Sequence, residues 1–296
     1  MKKTLAIVLA LMMAASLIAF TACGKKDTVT DDQNDKDVQN EQNVGDTQND
    51  QTDDTKDDET KSDSDVAYVT EKGTLVVGIT EYEPMNYKED GKWTGFDTEF
   101  AEAVAEKLGV KAEFVEIDWD NKVFELNSKA IDCVWNGMTL TTEVLNSMNC
   151  SNPYVVNAQV LVMNKDKIGD YTTVESLKDL TFVAEAGSAG AAAIADAGYT
   201  ATEVGTQADA LMEVAAGAED ACVIDITMAN AMTGEGTNYA DLTYGLSLTS
   251  EEYGIGFRKD SDLTEKVNGI IDELNNDGTL PALAEKYELT LALDAE

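Results

Sequence analysis

The stretch WNGMTLTTEV, residues 135–144, follows a short apolar run and is rich in small polar residues. Small residues follow one another closely in this stretch, namely Gly137, Thr139, Thr141 and Thr142. Their backbone N–H groups and hydroxyls can therefore approach a bound molecule. No basic residue lies within the stretch. It therefore predicts a binding surface that offers hydrogen bonds without a positive charge.

The composition of the whole chain limits the chemistry further. Its 296 residues include 21 basic and 57 acidic side chains and no histidine, for a net charge of −36. The lack of histidine excludes Ser-His-Asp and Cys-His nucleophile systems and histidine-based metal sites. Nucleic acid and anionic membrane surfaces are disfavoured as partners because both would repel the chain. Carboxylates, lysines and hydroxyls remain, and we expect no catalytic residues, cofactor or metal.

The N-terminus has the pattern of a secretory signal. Lys2 and Lys3 precede an apolar run over 5–20, which is followed by small residues and Cys23. The run is shorter than the roughly 20 apolar residues of a comfortable membrane span. A cysteine at this point resembles a bacterial lipobox, in which the thiol carries a lipid such as palmitate and becomes the new N-terminus. We predict a signal peptide over 1–22 with lipidation of Cys23, and the alternative is an ordinary signal peptide cleaved nearby.

A highly acidic segment follows the signal. Residues 27–65 contain 15 acidic and 3 basic side chains and no aromatic residue. Such a segment cannot bury enough apolar surface to offset its chain entropy, so we expect it to be disordered. Its Asp spacings lack the glycine and terminal Glu of a calcium loop. Residues 23–65 are therefore predicted to tether a folded part to the extracellular face of a bacterial cell membrane, with no other membrane contact.

Short apolar strands and amphipathic helices alternate through the rest of the chain. The clearest helix covers 96–109, with Asp97 as the predicted N-cap and Gly109 as the stop. A buried strand is predicted over 74–79, and further strands over 112–117, 131–135, 158–163, 181–184 and 221–225. This order is typical of α/β proteins with mainly parallel sheets and right-handed crossovers.

A weak internal similarity favours two lobes. Segments 126–134 and 214–222 align without gaps on Asp132 and Asp220, and each passes from a helix end to a strand. The folded part is also large for one small α/β unit. The size and the internal similarity therefore favour two similar lobes. A ligand cleft is expected between them, where strand ends meet helix N-termini.

The cysteines of the folded part do not suggest a disulfide framework. Cys133 and Cys222 are predicted inside strands of different lobes, and Cys150 in a loop. None belongs to a C-x-x-C motif, so we expect three unbridged thiols that pack as small core residues.

An ordered set of motifs runs over nearly all of 73–287. In chain order these are GTLVVGI, YEPMNYKEDGKWTGFDTEFAEAVAEKLG, DCVWNGMTLTTE, CSNPY, AEAGSAG, EDACVID, YGIGFRKD and LNNDGTLPALAEKY. The set resembles family 3 extracellular solute-binding proteins, the receptors of polar amino-acid ABC importers. The resemblance implies a monomer that captures one small solute and delivers it to an importer permease.

It also implies a type II periplasmic-binding-protein-like fold, in which two α/β lobes joined by two hinge strands close on the ligand. One lobe would contain 66–160 plus 250–296, and the other 161–249. The chain would cross between them near AQVLVM and EYGIGF. Closure is then a population shift driven by ligand contacts to both lobes.

Several site residues follow from the same resemblance. Asp225 matches the carboxylate that pairs with the ligand's α-ammonium. Asn136, Gly137 and Thr139 match first-lobe positions that contact the α-amino and α-carboxylate groups. Ser188 matches a second-lobe hydroxyl that grips the carboxylate from a helix N-terminus. For each of them, a turn residue without ligand contact is the alternative interpretation.

Aromatic positions and two departures from the family complete the predicted site. Tyr82 and Trp119 match aromatic residues that cover the ligand side chain, although either could be a core aromatic. The family arginine that clamps the α-carboxylate is Val144 here, and Arg258, the one arginine of the chain, lies far from any ligand motif. Glu185 occupies a ligand side-chain position that is more often Gln or apolar.

Without the family arginine, the group that binds the ligand's α-carboxylate is not determined by the resemblance. Losing a charged bidentate contact of about 2–3 kcal/mol weakens binding roughly 30–150-fold. Helix N-termini at Thr141 and Ser188 could hold the carboxylate instead. Lys122 is a candidate cation, but the pattern favours a solvent-facing lysine.

The sequence therefore leaves more than one hypothesis for the ligand and for the class of function. Asp225 and Glu185 together favour a cationic amino acid or an amine, with a neutral polar amino acid as the next hypothesis. A dehydratase of the prephenate and arogenate type is disfavoured, because a cleft without arginine suits a dianionic substrate poorly. A sensor that reports to a separate kinase is the third alternative.

Overall fold

The computed structural model describes residues 64–293. The predicted signal peptide, Cys23 and nearly all of the predicted tether lie outside the described residues. The strands are, in chain order, β1 (Thr74–Ile79), β2 (Tyr87–Glu89), β3 (Lys92–Thr94), β4 (Lys111–Glu116), β5 (Cys133–Thr139), β6 (Asn149–Cys150), β7 (Val155–Asn157), β8 (Gln159–Asn164), β9 (Phe182–Glu185), β10 (Ala201–Val204), β11 (Ala221–Asp225), β12 (Leu242–Ser247) and β13 (Glu251–Phe257).

Helices separate most of these strands. They are α1 (Asp65–Lys72), α2 (Phe96–Leu108), α3 (Lys122–Asn127), α4 (Thr142–Ser147), α5 (Ala189–Asp196), α6 (Gln207–Ala216), α7 (Ile226–Met232), α8 (Leu263–Asn276) and α9 (Thr279–Lys286), with short 3-10 helices at Trp119–Asn121, Ile168–Asp170 and Val174–Leu177. No helix in the described part of the chain is long and apolar enough to cross a membrane.

The first sheet has the order β4-β1-β5-β13-β6, with β7 also paired to β13. Strands β4, β1 and β5 are parallel, whereas β13 runs antiparallel to β5, β6 and β7. The second sheet has the order β10-β9-β11-β8-β12. Strands β10, β9 and β11 are parallel, and β8 runs antiparallel to both of its neighbours, β11 and β12. Each lobe is thus a mixed sheet built on a parallel βαβ core. This confirms the α/β prediction, but the sheets are not mainly parallel as expected, because β13 in the first and β8 in the second run antiparallel to their neighbours.

The chain passes between the sheets at two points. Ala158 alone separates β7 in the first sheet from β8 in the second, and residues 248–250 separate β12 from β13. Two neighbouring extended connections of this kind are suited to a hinge, because a few residues at element ends can absorb a change in backbone angles. The lobe boundaries themselves stay a prediction.

Helix α2 agrees with its predicted range but not with its predicted cap. Its N-cap is Gly95, at φ 117, and Asp97 lies inside the first turn with no exposed surface. A Cβ at Gly95 would stand 2.3 Å from the Met85 carbonyl oxygen, so the close approach requires glycine. The prediction of Asp97 as N-cap is wrong, because a long-range contact described below uses its carboxylate.

Aromatic side chains fill the space beneath the first sheet. Phe100 and Trp135 meet edge to face with ring centroids 4.9 Å apart, and Tyr154 contacts both. All three are fully buried. Each such side chain contributes about 1.5–3 kcal/mol by its burial, so this cluster fixes α2 against β5.

Helix α1 is attached to the same lobe through a buried cation. Arg258 Nε donates to one carboxylate oxygen of Asp65 at 3.0 Å, and Nη2 forms a salt-bridge contact of 2.9 Å with the other oxygen. It also donates to the carbonyl oxygens of Leu126 and Ile131. Asp65, assigned to the tether by composition, is therefore the first residue of α1 and is anchored to the folded lobe.

The three cysteines of the described residues are free thiols. Cys133 and Cys222 are buried in β5 and β11, as predicted. Cys150 lies in the short strand β6 rather than in a loop, since it pairs with Gly256 of β13. Burial raises the pKa of the Cys150 thiol to about 11, so the thiol is protonated at neutral pH.

Candidate functional site

A cavity of about 630 Å³ lies between the two sheets. The lining includes the residues of both lobes that the family resemblance implied, with the exception of Tyr82: Trp119, Asn136, Gly137, Thr139, Glu185, Ser188 and Asp225. The cavity is large enough for one amino acid, since small-molecule sites usually measure about 300–1,000 Å³.

The first-lobe wall is a bulged strand. The pairing of β5 with β13 is regular at Val134 and at Met138, and the register shifts between these points. A bulge leaves part of the backbone unpaired and turns the strand, as is common beside binding sites. Gly137 has φ 55 in this bulge, and a Cβ there would stand 2.6 Å from the Tyr82 ring. Only glycine fits at that position.

The polar groups of this wall are already used within the first lobe. Asn136 Oδ1 accepts from the Thr80 N–H and from Asn86, and its amide donates to the Thr80 hydroxyl. The Gly137 N–H donates to Asp97 at 2.6 Å. Asn136 and Gly137 line the cleft as implied, but the Asn136 side chain and the Gly137 N–H are committed elsewhere.

Asp97 holds the bulge in place from below. Its carboxylate accepts from the Gly137 N–H and, at 3.0 Å, from the Tyr154 hydroxyl. Burial raises the pKa of Asp97 to about 7, although these hydrogen bonds favour the charged form. The Gly-Phe-Asp motif at the start of α2 therefore shapes the cleft without lining it.

Asp225 ends β11 at the back of the cleft and is 5% exposed. It accepts hydrogen bonds from Gln159 at 2.9 Å, Gln207 at 2.6 Å and Tyr253 at 2.8 Å, and Asn157 is a further donor. Burial, with the nearby charge of Glu251, raises its pKa to about 7. A bound cation would reverse that shift by favouring the carboxylate.

Glu251, at the start of β13, is a second carboxylate that sequence reasoning missed. Its Oε1 accepts from Thr139 at 2.8 Å and from Asn157 and Gln159 at 2.7 Å each. Its other oxygen accepts from Thr249. Glu251 therefore joins the first-lobe wall to both hinge connections, and its position at a predicted crossing was the available signal.

Glu185 ends β9 on the second-lobe wall and is only 3% exposed. Among the described residues, none donates a hydrogen bond to its Oε1. Burial and the negative charge of Asp225 raise its pKa to about 8. A buried carboxyl oxygen without a partner is costly, so this group is suited to a ligand donor or cation.

Two hydroxyls cap helices that point at the cleft. Thr141 accepts from the Val144 N–H at 3.1 Å, which confirms the predicted N-cap of α4. Ser188 accepts from the Ala191 N–H at 3.1 Å and caps α5. Both residues line the cavity.

Lys122 lies in the cleft wall, so the prediction of a solvent-facing lysine is wrong. The side chain is 8% exposed, and its Nζ donates to the carbonyl oxygens of Gly187 at 3.0 Å and Trp119 at 3.2 Å. The ammonium also lies 4.8 Å from the centre of the Trp119 ring. Burial occurs because Gly187, on the second lobe, covers the end of the side chain.

Two further expectations can be compared with the geometry. Tyr82 is 1% exposed and lies behind the cleft, where its hydroxyl shares hydrogen bonds with Thr227 and Tyr253. It therefore supports Asp225 through Tyr253 instead of lining the cavity. Val144 does line the cavity, and Arg258 lies in the separate cluster with Asp65.

The cavity lining is strongly acidic. Its carboxylates are Asp120, Glu143, Glu185, Asp196, Glu203, Asp225 and Glu251. Lys122 is the one basic residue among the described lining residues. No group of three or more His, Cys, Asp or Glu side chains in the described range has the arrangement of a metal site.

The hinged pair of α/β lobes around a polar cleft defines the class of two-lobed solute-binding proteins. Residues 75–290 match the family model of bacterial extracellular solute-binding proteins, family 3, and the chain belongs to that family. It is a binding protein rather than an enzyme.

Characterised relatives show what similar chains bind. The L-cystine-binding protein TcyJ of Escherichia coli is 32% identical over 225 residues, or 74% of this chain and 84% of that protein. The arginine-binding extracellular protein ArtP of Bacillus subtilis is 30% identical over 226 residues, or 73% and 86%. The structure of an ancestral arginine-binding protein bound to arginine is 34% identical, with a TM-score of 0.67, and covers 73% of this chain and 98% of that one.

Proposed function

We propose that this protein captures a cationic amino acid between its lobes and delivers it to the permease of an ABC importer. The relatives support an amino-acid ligand, since their names specify cystine and arginine. The two hinge connections support capture by lobe closure, because the ligand can then contact both lobes.

The charge of the cleft carries the choice of a cationic ligand. Within residues 64–293, seven carboxyl groups line the cavity against one ammonium, and one buried oxygen of Glu185 has no donor. A ligand with one carboxylate and two cationic groups would balance more of this charge than a neutral amino acid would. It would also restore the charged forms of Glu185 and Asp225, whose pKa values burial raises.

Asp225 is the proposed partner of the ligand's α-ammonium. It lies at the back of the cleft, and its donors Gln159, Gln207 and Tyr253 fix the orientation of the carboxylate. A charge-assisted hydrogen bond to the ammonium would contribute about 1.5–3 kcal/mol. Trp119, whose ring lines the cavity, is the proposed cover for the ligand side chain.

Membrane attachment is part of the same proposal. The lipobox-like sequence around Cys23 and the acidic segment that follows it support a lipid anchor on a long tether. Tethering keeps a receptor at high effective concentration near its partner, which suits delivery to a permease.

A receptor for an amine without an α-carboxylate is the second candidate. Val144 in place of the family arginine supports it, because the cleft lacks the usual carboxylate clamp. This alternative differs from the main proposal in one ligand group, so matched ligands separate the two.

Isothermal titration calorimetry on the purified full chain tests the proposal. The panel is L-arginine, L-lysine, L-histidine, L-cystine, L-glutamine, L-glutamate and L-leucine, together with the amines agmatine and cadaverine. We expect arginine or lysine to bind most tightly. Tightest binding of an amine would favour the second candidate, whereas tightest binding of glutamate or leucine would refute a cationic ligand.

A further inference from the structure

Lys122 is a buried cation with unused hydrogen-bonding capacity. Its ammonium donates to two carbonyl oxygens, those of Trp119 and Gly187. An ammonium has three N–H groups, so one remains without an acceptor among the described residues. The side chain lines the cavity, where this remaining donor can meet a ligand.

No carboxylate in the described part of the chain neutralises Lys122 directly. Among the described residues it forms no salt bridge, although three cleft carboxylates act on it electrostatically at longer range. They are Asp120, Glu143 and Glu185. Burial lowers the pKa of the ammonium and those charges oppose the shift. A buried charge without a paired counter-ion is costly unless a ligand supplies one.

The position of Lys122 also suits a carboxylate. The ammonium binds the carbonyl of Gly187, the residue before Ser188, which caps the N-terminus of α5. Helix N-termini favour negative groups, and the positive charge of Lys122 lies at the same end of the helix. Val144, the position of the missing family arginine, lines the same cavity.

We propose that Lys122 binds the ligand's α-carboxylate and takes over the role of the arginine that is absent at Val144. The inference rests on the proposed function in requiring an amino-acid ligand. It fixes the orientation of the ligand's α-carbon, with the α-carboxylate toward Lys122 and the α-ammonium toward Asp225.

A purely structural role for Lys122 makes a different prediction. The bond from Lys122 to Gly187 joins the two lobes, and Gly187 also lies against Asp120, since a Cβ there would stand 2.6 Å from Asp120 Oδ1. If Lys122 only fastened the lobes together, its loss would weaken every ligand equally. A carboxylate-binding role weakens only ligands that have a carboxylate.

Matched ligands separate these roles. Calorimetry compares L-arginine with agmatine, L-histidine with histamine and L-cystine with cystamine, because the two members of each pair differ in carboxylate groups. The variants are Lys122→Met, which keeps an apolar stem against Trp119, and Lys178→Met, which removes an exposed charge outside the cavity lining. Thermal melting of each variant checks folding.

We expect Lys122→Met to raise the dissociation constant of the bound amino acid about 10–100-fold and to leave the matching amine within about twofold. Lys178→Met should change neither. If Lys122→Met does not fold, Lys122→Gln and Lys122→Arg replace it, and only the arginine variant should retain the preference for the amino acid.

Other results assign the failure to one proposal or the other. Equal losses for amino acid and amine, or no loss for either, would overturn the role of Lys122. If the wild-type protein binds cystine but not arginine, the proposal of a cationic ligand is refuted. The role of Lys122 can still be tested by comparing the effects of Lys122→Met on cystine and cystamine binding. Wild-type preference for the amine in each pair, or no binding of any of the six, would overturn both.

Discussion

The two buried cations of this protein have opposite surroundings. Arg258 is 8% exposed and is neutralised by a bidentate contact to Asp65, with two backbone carbonyls satisfying further N–H groups. Lys122 is equally buried, at 8% exposed, but among the described residues it contacts only carbonyls and an aromatic ring.

The difference separates structural charge from functional charge. The Arg258 charge is neutralised within the first lobe by Asp65, and its guanidinium does not line the cavity, so its electrostatics serve the fold. The Lys122 ammonium, by contrast, bridges two lobes, and one of its N–H groups has no acceptor within residues 64–293, beside a cleft rich in carboxylates. Buried charges are retained at a cost in stability, and an unpaired one indicates a functional site.

Breaking the Arg258 cluster should have the largest effect on stability. Arg258→Met leaves Asp65 without its buried partner and removes donors to the Leu126 and Ile131 carbonyls. Removing one member of a buried ion pair costs about 3–5 kcal/mol, and we expect that loss in the free energy of unfolding. Urea denaturation followed by circular dichroism measures it.

Lys111→Met is the matched control, since Lys111 is exposed on β4 of the same sheet. Its unfolding free energy should change by less than about 0.5 kcal/mol. Ligand affinity should be unchanged in folded Arg258→Met protein. A large loss of affinity without a loss of stability would show that Arg258, and not Lys122, serves the cleft.

Asp225→Asn should have the next largest effect, on binding instead of folding. The asparagine keeps the size of the side chain but removes the charge that faces the ligand's ammonium. The dissociation constant of the best ligand should rise about 10–100-fold. Asp170→Asn, an exposed carboxylate of the second lobe, should have no effect in the same calorimetric titration. Unaltered binding to Asp225→Asn would place the ammonium elsewhere.

Much of the frame that holds these groups could be predicted from local patterns. Strand β1 has its predicted range, and β11 ends at Asp225 as predicted, since the apolar run there is clear. The second-lobe hydroxyl at Ser188 and the cap at Thr141 were also recognisable, because capping depends on residues only three positions apart.

The residues that were misjudged depend on contacts between distant segments. Lys122 has the local pattern of an exposed helical lysine, and Gly187, 65 positions later, buries it. Asp97 has the local pattern of an N-cap, but the Gly137 N–H captures its carboxylate. Glu251 sits between polar neighbours, and only the meeting of two hinge connections makes it a cleft residue. Periodicity in one segment carries no information about such partners.

The affinity for a cationic ligand should depend on pH, because Glu185 is a buried carboxyl group in the cleft. Its pKa of about 8 means that a cationic ligand must displace a proton when it binds near neutral pH. Affinity for arginine should therefore rise with pH between 6 and 8, by at most about tenfold per unit for each proton released. Glu185→Gln should reduce this rise to the part that Asp225, with a pKa of about 7, contributes, whereas Glu175→Gln, an exposed position, should leave it unchanged.

The free energy of unfolding of the ligand-free protein should fall as pH rises, whereas the affinity for arginine rises. Folded Glu185 keeps its proton up to a pKa of about 8, whereas the unfolded chain loses it near 4.5. The folded state binds more protons between these values, so the free energy of unfolding falls as pH rises through that range. Urea denaturation of the wild-type protein at pH 5 and at pH 8 checks this prediction. Greater stability at pH 8 would contradict a raised pKa of the buried Glu185 carboxyl group.

Restoring the family arginine should have the smallest effect and is the most direct probe of the cleft. Val144 lines the cavity, and its neighbour Leu145 on the same helix is 49% exposed and does not. An arginine at 144 would share the ligand carboxylate with Lys122, and repulsion between the two cations would offset part of the new contact. We expect Val144→Arg to tighten amino-acid binding by about 0.5–1 kcal/mol, or roughly two- to fivefold, with Leu145→Arg as the control.

The same substitution in the Lys122→Met background distinguishes two sites from one. With the lysine gone, the arginine no longer competes, so Val144→Arg should recover more affinity than it adds to the wild type. Non-additivity of this kind is expected only when both side chains address one carboxylate. Strictly additive changes would mean that residues 122 and 144 act on different parts of the ligand, and the placement of the α-carboxylate beside Lys122 would have to be revised.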